Sequence, residues 1–169
     1  RSSRPAASRH RPAAIPDRAA LDALLDDEEA PVEWSEEDIV FLHWRLLQEV
    51  SHLADPTTPL EEKFDTLRWV FSEHEKDGLP FSFVSCLRVV GCSPLSPIAY
   101  CGLVDAEDVR DRIRHGLKAW LDVTLERYPD WVRDAVVHNP EWVEARLAKN
   151  PQWINEQIKR MAVQGDLFA

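Results

Sequence analysis

From Tyr128 onward the chain repeats one eleven-residue frame three times: YPDWVRDAVVH, NPEWVEARLAK and NPQWINEQIKR. Proline recurs at Pro129, Pro140 and Pro151, and tryptophan at Trp131, Trp142 and Trp153. Each Trp is followed by an aliphatic residue (Val132, Val143, Ile154), and another stands four positions further on (Val136, Leu147, Ile158). Eleven residues are close to three turns of α-helix, so one unbroken helix would carry the tryptophans as a slowly drifting stripe. The interior prolines forbid it, because each lacks an N–H and clashes with the carbonyl four residues back. Proline is accepted at the first helical position and Asn before it is a strong N-cap. Asn139-Pro140 and Asn150-Pro151 therefore read as helix starts, and each Asn can also take the left-handed conformation that closes the preceding helix. The frame predicts three short Pro-started helices with sharp corners, each placing a Trp and two aliphatics on its inner side. Large apolar side chains at helical spacing read as core. A ladder of aromatic sites for a partner strand or peptide is the functional alternative.

Upstream, helical periodicity recurs. Ser35 caps a helix from about Glu36 to Leu53, with Glu36, Glu37 and Asp38 at the positive end of its dipole and Ile39, Leu42, Leu46, Val50 and Leu53 on one face. Thr58-Pro59-Leu60-Glu61 has the form of an N-cap, a first-position proline and a capping-box Glu, ahead of an inner face of Leu60, Phe64, Leu67 and Phe71. Asp105 opens the longest helix, to about Arg127, with Val109, Ile113, Trp120 and Thr124 on one face. The expected fold is all-α: a single helical domain of about seven or eight helices. A chain of 169 residues is long enough to bury a core of its own. Its parts are a disordered basic arm and acidic linker over 1–33, the helical domain over 34–163, and a mobile C-terminal peptide over 164–169.

Charge is distributed unevenly. Residues 1–18 hold five arginines, among them Arg1, Arg4, Arg9 and Arg11, against one Asp, whereas residues 19–38 hold nine carboxylates and no Lys or Arg. The arm is a candidate contact for nucleic acid, or else a solvated leader. The adjoining acidic block offers a partner that would mask it. On the longest helix, Arg110, Arg114 and Lys118 stand at i, i+4 and i+8, a candidate phosphate-contacting stripe or a solvated face. The formal net charge of −10 argues against general affinity for nucleic acid.

Phe81 to Leu103 holds a possible helix-turn-helix. Ser82 caps a helix, Val84, Leu87 and Val90 face inward, Gly91 supplies a turn and Ser-Pro follows. The unit departs from DNA-binding examples in having Leu87 four positions before the glycine, Pro97 within the would-be recognition helix, and no Arg, Lys, Asn or Gln over 92–104 to read bases. Cys86, Cys92 and Cys101 have neither the spacing nor the adjacent His of a zinc knuckle, so they read as buried thiols. No phosphate loop, nucleophile elbow or zincin motif is present, and no cofactor, metal or enzymatic activity is expected. The absence of a long apolar run or secretory signal, with an odd number of cysteines, leads to the expectation of a cytoplasmic protein without a membrane span.

The chain's last residues read Gln164-Gly165-Asp166-Leu167-Phe168-Ala169. Gln164, Asp166, Leu167 and Phe168 resemble, in this spacing, the short peptides by which many bacterial DNA polymerases and repair factors bind the sliding clamp. Gly165 stands where those peptides often carry an aliphatic residue. The resemblance implies that Leu167 and Phe168 fill an apolar cleft on the clamp while the Gln164 amide bonds at its rim. A Leu-Phe pair on a mobile end otherwise gains a soluble protein nothing, unless it folds back as a plug on the repeat helices. The leading expectation is a non-enzymatic adaptor or regulator of bacterial DNA replication or repair that docks on the clamp. The alternatives are a helix-turn-helix transcriptional regulator and an oligomeric scaffold in which the Trp ladder is the interface.

Overall fold

The computed structural model describes residues 33–99 and 101–167, with side chains as far as Gly165. The arm with Arg1, Arg4, Arg9 and Arg11, most of the acidic linker, and Phe168 lie outside the described residues. All regular structure among the described residues is helical: α1 (Glu36–Ser51), α2 (Leu60–Val70), α3 (Phe83–Cys92), α4 (Ala106–Leu125), α5 (Asp130–His138), α6 (Pro140–Lys149) and α7 (Trp153–Leu167). Short 3-10 turns at His52–Ala54 and His74–Lys76 connect α1 to α2 and α2 to α3. From Ser35 on, the chain is one all-α domain, as its periodicities predict. None of these helices is long and apolar enough to cross a membrane.

Helix starts follow local chemistry at several points. Ser35 Oγ accepts from the Asp38 N–H (3.1 Å) while Asp38 Oδ2 accepts from the Ser35 N–H (3.1 Å), a reciprocal capping box. Ser82 Oγ accepts from the Ser85 N–H (3.1 Å) and Asp105 Oδ1 from the Glu107 N–H (2.9 Å). At α2 the expectation is corrected. Thr58 makes no cap; Pro59 holds the N-cap position, with no side-chain cap bond. The orphan N–H of Leu60 instead donates to the Tyr128 hydroxyl (3.2 Å), 68 residues away. Burial there pushes the Tyr128 phenol up from its usual pKa. The turn before α2 is held by Asp55, whose Oδ1 accepts from both the Thr57 hydroxyl (2.7 Å) and the Thr57 N–H (2.8 Å). These two bonds hold the Asp55 carboxyl below its ordinary range.

The repeat forms its helices much as expected. Pro140 is the first residue of α6 and Asn139 its N-cap, but Asn139 has φ −135° and makes no side-chain cap bond, so the left-handed corner is absent. Asn150, the C-cap of α6, forms an Asx turn ahead of α7, its Oδ1 accepting from the Gln152 N–H at 3.1 Å. α7 begins only at Trp153, so Pro151 is not its first residue, contrary to expectation. The third helix is not short, running fifteen residues.

Two apolar cores share α2 and α4. Leu60 and Phe64, with Leu125, meet Val132, Val136, Val143, Leu147 and Ile154 of the repeat. Val70 and Ile113 meet Leu53 and Phe83 in the other core. Lys63 lies at the seam, fully buried (1 % exposed), its Nζ donating to the Leu53 carbonyl (3.0 Å) and to the Thr124 hydroxyl. On α1 the inner face is turned from the one expected. Val40 and His43 are buried, while Ile39, Phe41 and Leu46 are exposed. His43 stacks on Phe81 (4.5 Å between centroids) and its Nδ1–H donates to the Ile39 carbonyl (2.7 Å). Phe81 is held at φ 61°, where a side chain costs about 1–2 kcal/mol, by that stack and by Trp69 Nε1–H donating to its carbonyl (3.0 Å).

Gly91 does not form a turn; it lies inside α3. The residues after α3 fold back so that the Cys101 and Gly102 N–H groups both donate to the Gly91 carbonyl (3.3 and 2.9 Å). A Cβ on Gly91 would sit 2.4 Å from the Gly102 carbonyl oxygen, backbone that cannot swing aside. Gly91→Ala is expected to cost about 2 kcal/mol through overpacking. Guanidinium unfolding followed by circular dichroism checks this, and an unchanged midpoint would show that the crossing yields.

Candidate functional site

The proposed clamp peptide begins on the last two turns of α7. Among the described side chains of α7, Ile158 is the most C-terminal one packed on the core. Beyond it, Met161 (48 %), Val163 (61 %), Gln164 and Gly165 are all exposed. A Cβ on Gly165 would meet no atom within 4 Å. The helix continues through Leu167, so Gln164 to Leu167 are helical rather than irregular, and Gln164 and Leu167 share a face at i, i+3. An exposed helical glycine costs about 1 kcal/mol relative to Ala, and the last four carbonyls of a helix lack intrahelical partners. This end of α7 therefore opens at little cost.

A second surface comes from the repeat. The aliphatic members of each unit are buried, whereas the tryptophans gather at the rim of the core. Trp153 sits edge-on to both Trp131 (6.2 Å) and Trp142 (5.2 Å), and Trp142 is 47 % exposed. The expectation of three inward tryptophans holds for Trp131 and Trp153, which are half-buried against the core, and is corrected at Trp142. Val143 and Leu147 already fill the inner side of α6, and the Trp142 indole lies outside it. Arg146, exposed, lies with its guanidinium 5.1 Å from the Trp142 ring centre and 5.7 Å from that of Trp153. Sequence reading passed over Arg146, although its place four residues after Trp142 puts both on one side of α6.

The basic stripe on α4 does not survive as a phosphate contact. Arg110 is buried at 3 %, its Nε donating to the Val70 carbonyl (2.8 Å) and its Nη atoms pairing with Glu107 (2.6 Å) and Asp77 (3.3 Å). Arg114 pairs with Asp111 (2.6 Å) and lies 4.8 Å over the Phe71 ring. Of these three, Lys118 alone stands exposed without an ion pair among the described residues. The helix-turn-helix geometry is likewise absent. Residues 93–99 and 101–104 run as turns and bends, with no helix to enter a groove. Ile98, Cys101 and Val104 from this segment instead roof an apolar pocket of about 210 Å³ against Trp44, Leu87 and Val109. The apolar residues of this segment, which weakened the recognition-helix reading, are what the roof requires.

Of the cysteines only Cys86 is buried, and desolvation pushes its thiol up to about 12. Cys92 and Cys101 are exposed, correcting the reading of three buried thiols. Among the described residues no cluster of His, Cys, Asp and Glu could hold a metal ion. No protein-family model, curated protein or solved structure matches this chain.

Proposed function

We propose that this protein is a non-enzymatic adaptor of bacterial DNA replication or repair that docks on the sliding clamp through Gln164, Asp166, Leu167 and Phe168. One observation carries the reading beyond the motif itself. From Met161 to Gly165 the side chains of α7 that lead into the peptide are all exposed, so this stretch is open to a partner. This favours an outward hook over a plug lodged among the tryptophans. Burying a Leu and a Phe contributes about 1.5–3 kcal/mol each, and fraying the last turn of α7 offsets only about 1 kcal/mol of it. The helix-turn-helix reading loses its support with the missing second helix and the buried Arg110.

Truncation after Met161 is expected to abolish clamp binding and leave the helical core intact, since among the described residues the side chains packed on it end at Ile158. In the full-length chain, Leu167→Ala with Phe168→Ala should weaken binding on the order of 100-fold. Titration against a purified bacterial clamp by calorimetry tests both. A truncated chain that binds as tightly as the whole one refutes the proposal. A concentration-dependent solution mass of two or more chains would favour the scaffold reading instead.

A further inference from the structure

We infer that the Trp142–Arg146 surface of α6 is a docking site for an acidic peptide segment of a partner protein, separate from the α7 hook. The three tryptophans recur at one position of the repeat, and Trp131 and Trp153 pack half-buried against the core, yet Trp142 is left half exposed. An indole as exposed as Trp142 contributes less to folding than a buried one, and aromatic side chains beside an arginine are what peptide interfaces concentrate. Arg146 supplies the chemical direction. Its guanidinium is packed beside two indoles that stand at 90° to one another, and it forms no ion pair among the described residues. Its planar fork of N–H donors is thus pre-oriented and open to a carboxylate, which it can grip with two parallel hydrogen bonds. Lys149, exposed and also in the last turn of α6, adds a second cation three residues on.

The ligand this assembles for is a short peptide with one or two carboxylates, gripped by Arg146 and Lys149, beside an apolar or proline side chain lying on the open part of Trp142. Single-stranded nucleic acid offers the same two features, a base to stack and a phosphate to pair. The net charge of −10 disfavours it, because a polyanion meets the repulsion of the whole chain while a short peptide with few carboxylates meets little.

The test is a selection of random dodecapeptides against the full-length protein, followed by a double-mutant cycle. The selected sequences should be enriched in Asp and Glu and should change the tryptophan fluorescence. Arg146→Gln and Trp142→Ala should each weaken their binding about tenfold, and Arg146→Gln should cost nothing further once the peptide's Asp or Glu is replaced by its amide. Circular dichroism confirms that these surface variants keep their helices. A chain carrying Leu167→Ala and Phe168→Ala should bind the peptides unchanged, which separates this site from the clamp proposal. No enrichment, enrichment without acidic residues, or equal binding by the Arg146→Gln chain overturns the inference. So does an oligo-dT dodecamer that binds this surface more tightly than the selected peptides.

Discussion

Arg110→Met will lower the unfolding free energy by about 3 kcal/mol, with a fall of about 10 °C in Tm. Arg110 is the one cation of the α4 stripe that the fold encloses, and it connects three segments. Its Nε holds the Val70 carbonyl at the end of α2 (2.8 Å), its Nη2 reaches Asp77 in the link to α3 (3.3 Å), and its guanidinium lies 5.5 Å from the Phe83 ring centre. Methionine fills the volume but leaves that carbonyl without its donor and the Asp77 carboxylate with His74 alone, and removing one partner of a buried polar contact costs more than the contact is worth. Glu107, half exposed, can turn to water, so the loss falls at the low end of the range for buried pairs. Acid titration gives an independent check. Burial pushes the Asp77 carboxyl up, but hydrogen bonds from His74 and Arg110 outweigh it and hold the group below its usual 3.8. Its stabilising contribution is present above 3.8 and is lost as the pH falls through the depressed folded value. Arg110→Met should shrink that acid-dependent loss, measured by urea unfolding at a series of pH values. A variant as stable as the original, with the same acid profile, would show that the contacts of Arg110 are incidental.

Lys63→Ala will cost about 3 kcal/mol, Lys63→Met less, and both will remove a component of stability that rises with pH. The Lys63 stem is packed at the seam of the two cores, and truncation opens a cavity there. The ammonium donates to a carbonyl and a hydroxyl and makes no ion pair with a carboxylate among the described residues. Burial pushes its pKa below the usual 10.5, and the more distant Asp55 only partly opposes this. The unfolded chain therefore binds a proton at Lys63 more tightly than the folded one. Between the lowered folded value and 10.5, raising the pH strips the folded state first and stabilises it, with a slope of at most about 1.4 kcal/mol per pH unit. Cys86 and Tyr128 work in the opposite sense, since burial raises both and the folded state keeps their protons longest. The informative quantity is consequently the difference between the original chain and Lys63→Met across alkaline pH, in which those two groups cancel. A difference that stays flat up to 10.5 would mean that Lys63 ionises as it does in water.

The helices themselves, most of their starts and the corner between α5 and α6 are written in neighbouring residues. Capping and proline placement act within four positions, so Ser35 with Asp38, Ser82, Asp105 and Asn139-Pro140 could be read directly. The clamp-like peptide is legible for the same reason, being a contiguous string; that it follows exposed turns of α7 is a matter of where the core ends. Which face of each helix is buried, and which charges are enclosed, was settled elsewhere. Leu60 meets the Tyr128 hydroxyl across 68 residues, Lys63 meets Thr124 across 61, and Arg110 meets the Val70 carbonyl across 40. Periodicity marks an apolar stripe but not its width, so Ile39 and Leu46 passed for core while His43 took the inner place. The tryptophans recur at a spacing that suits the interior equally well. Only the packing between α5, α6 and α7 kept Trp131 and Trp153 half-buried against the valines, leucine and isoleucine while leaving Trp142 half exposed, because close-packed space admits a limited set of side chains.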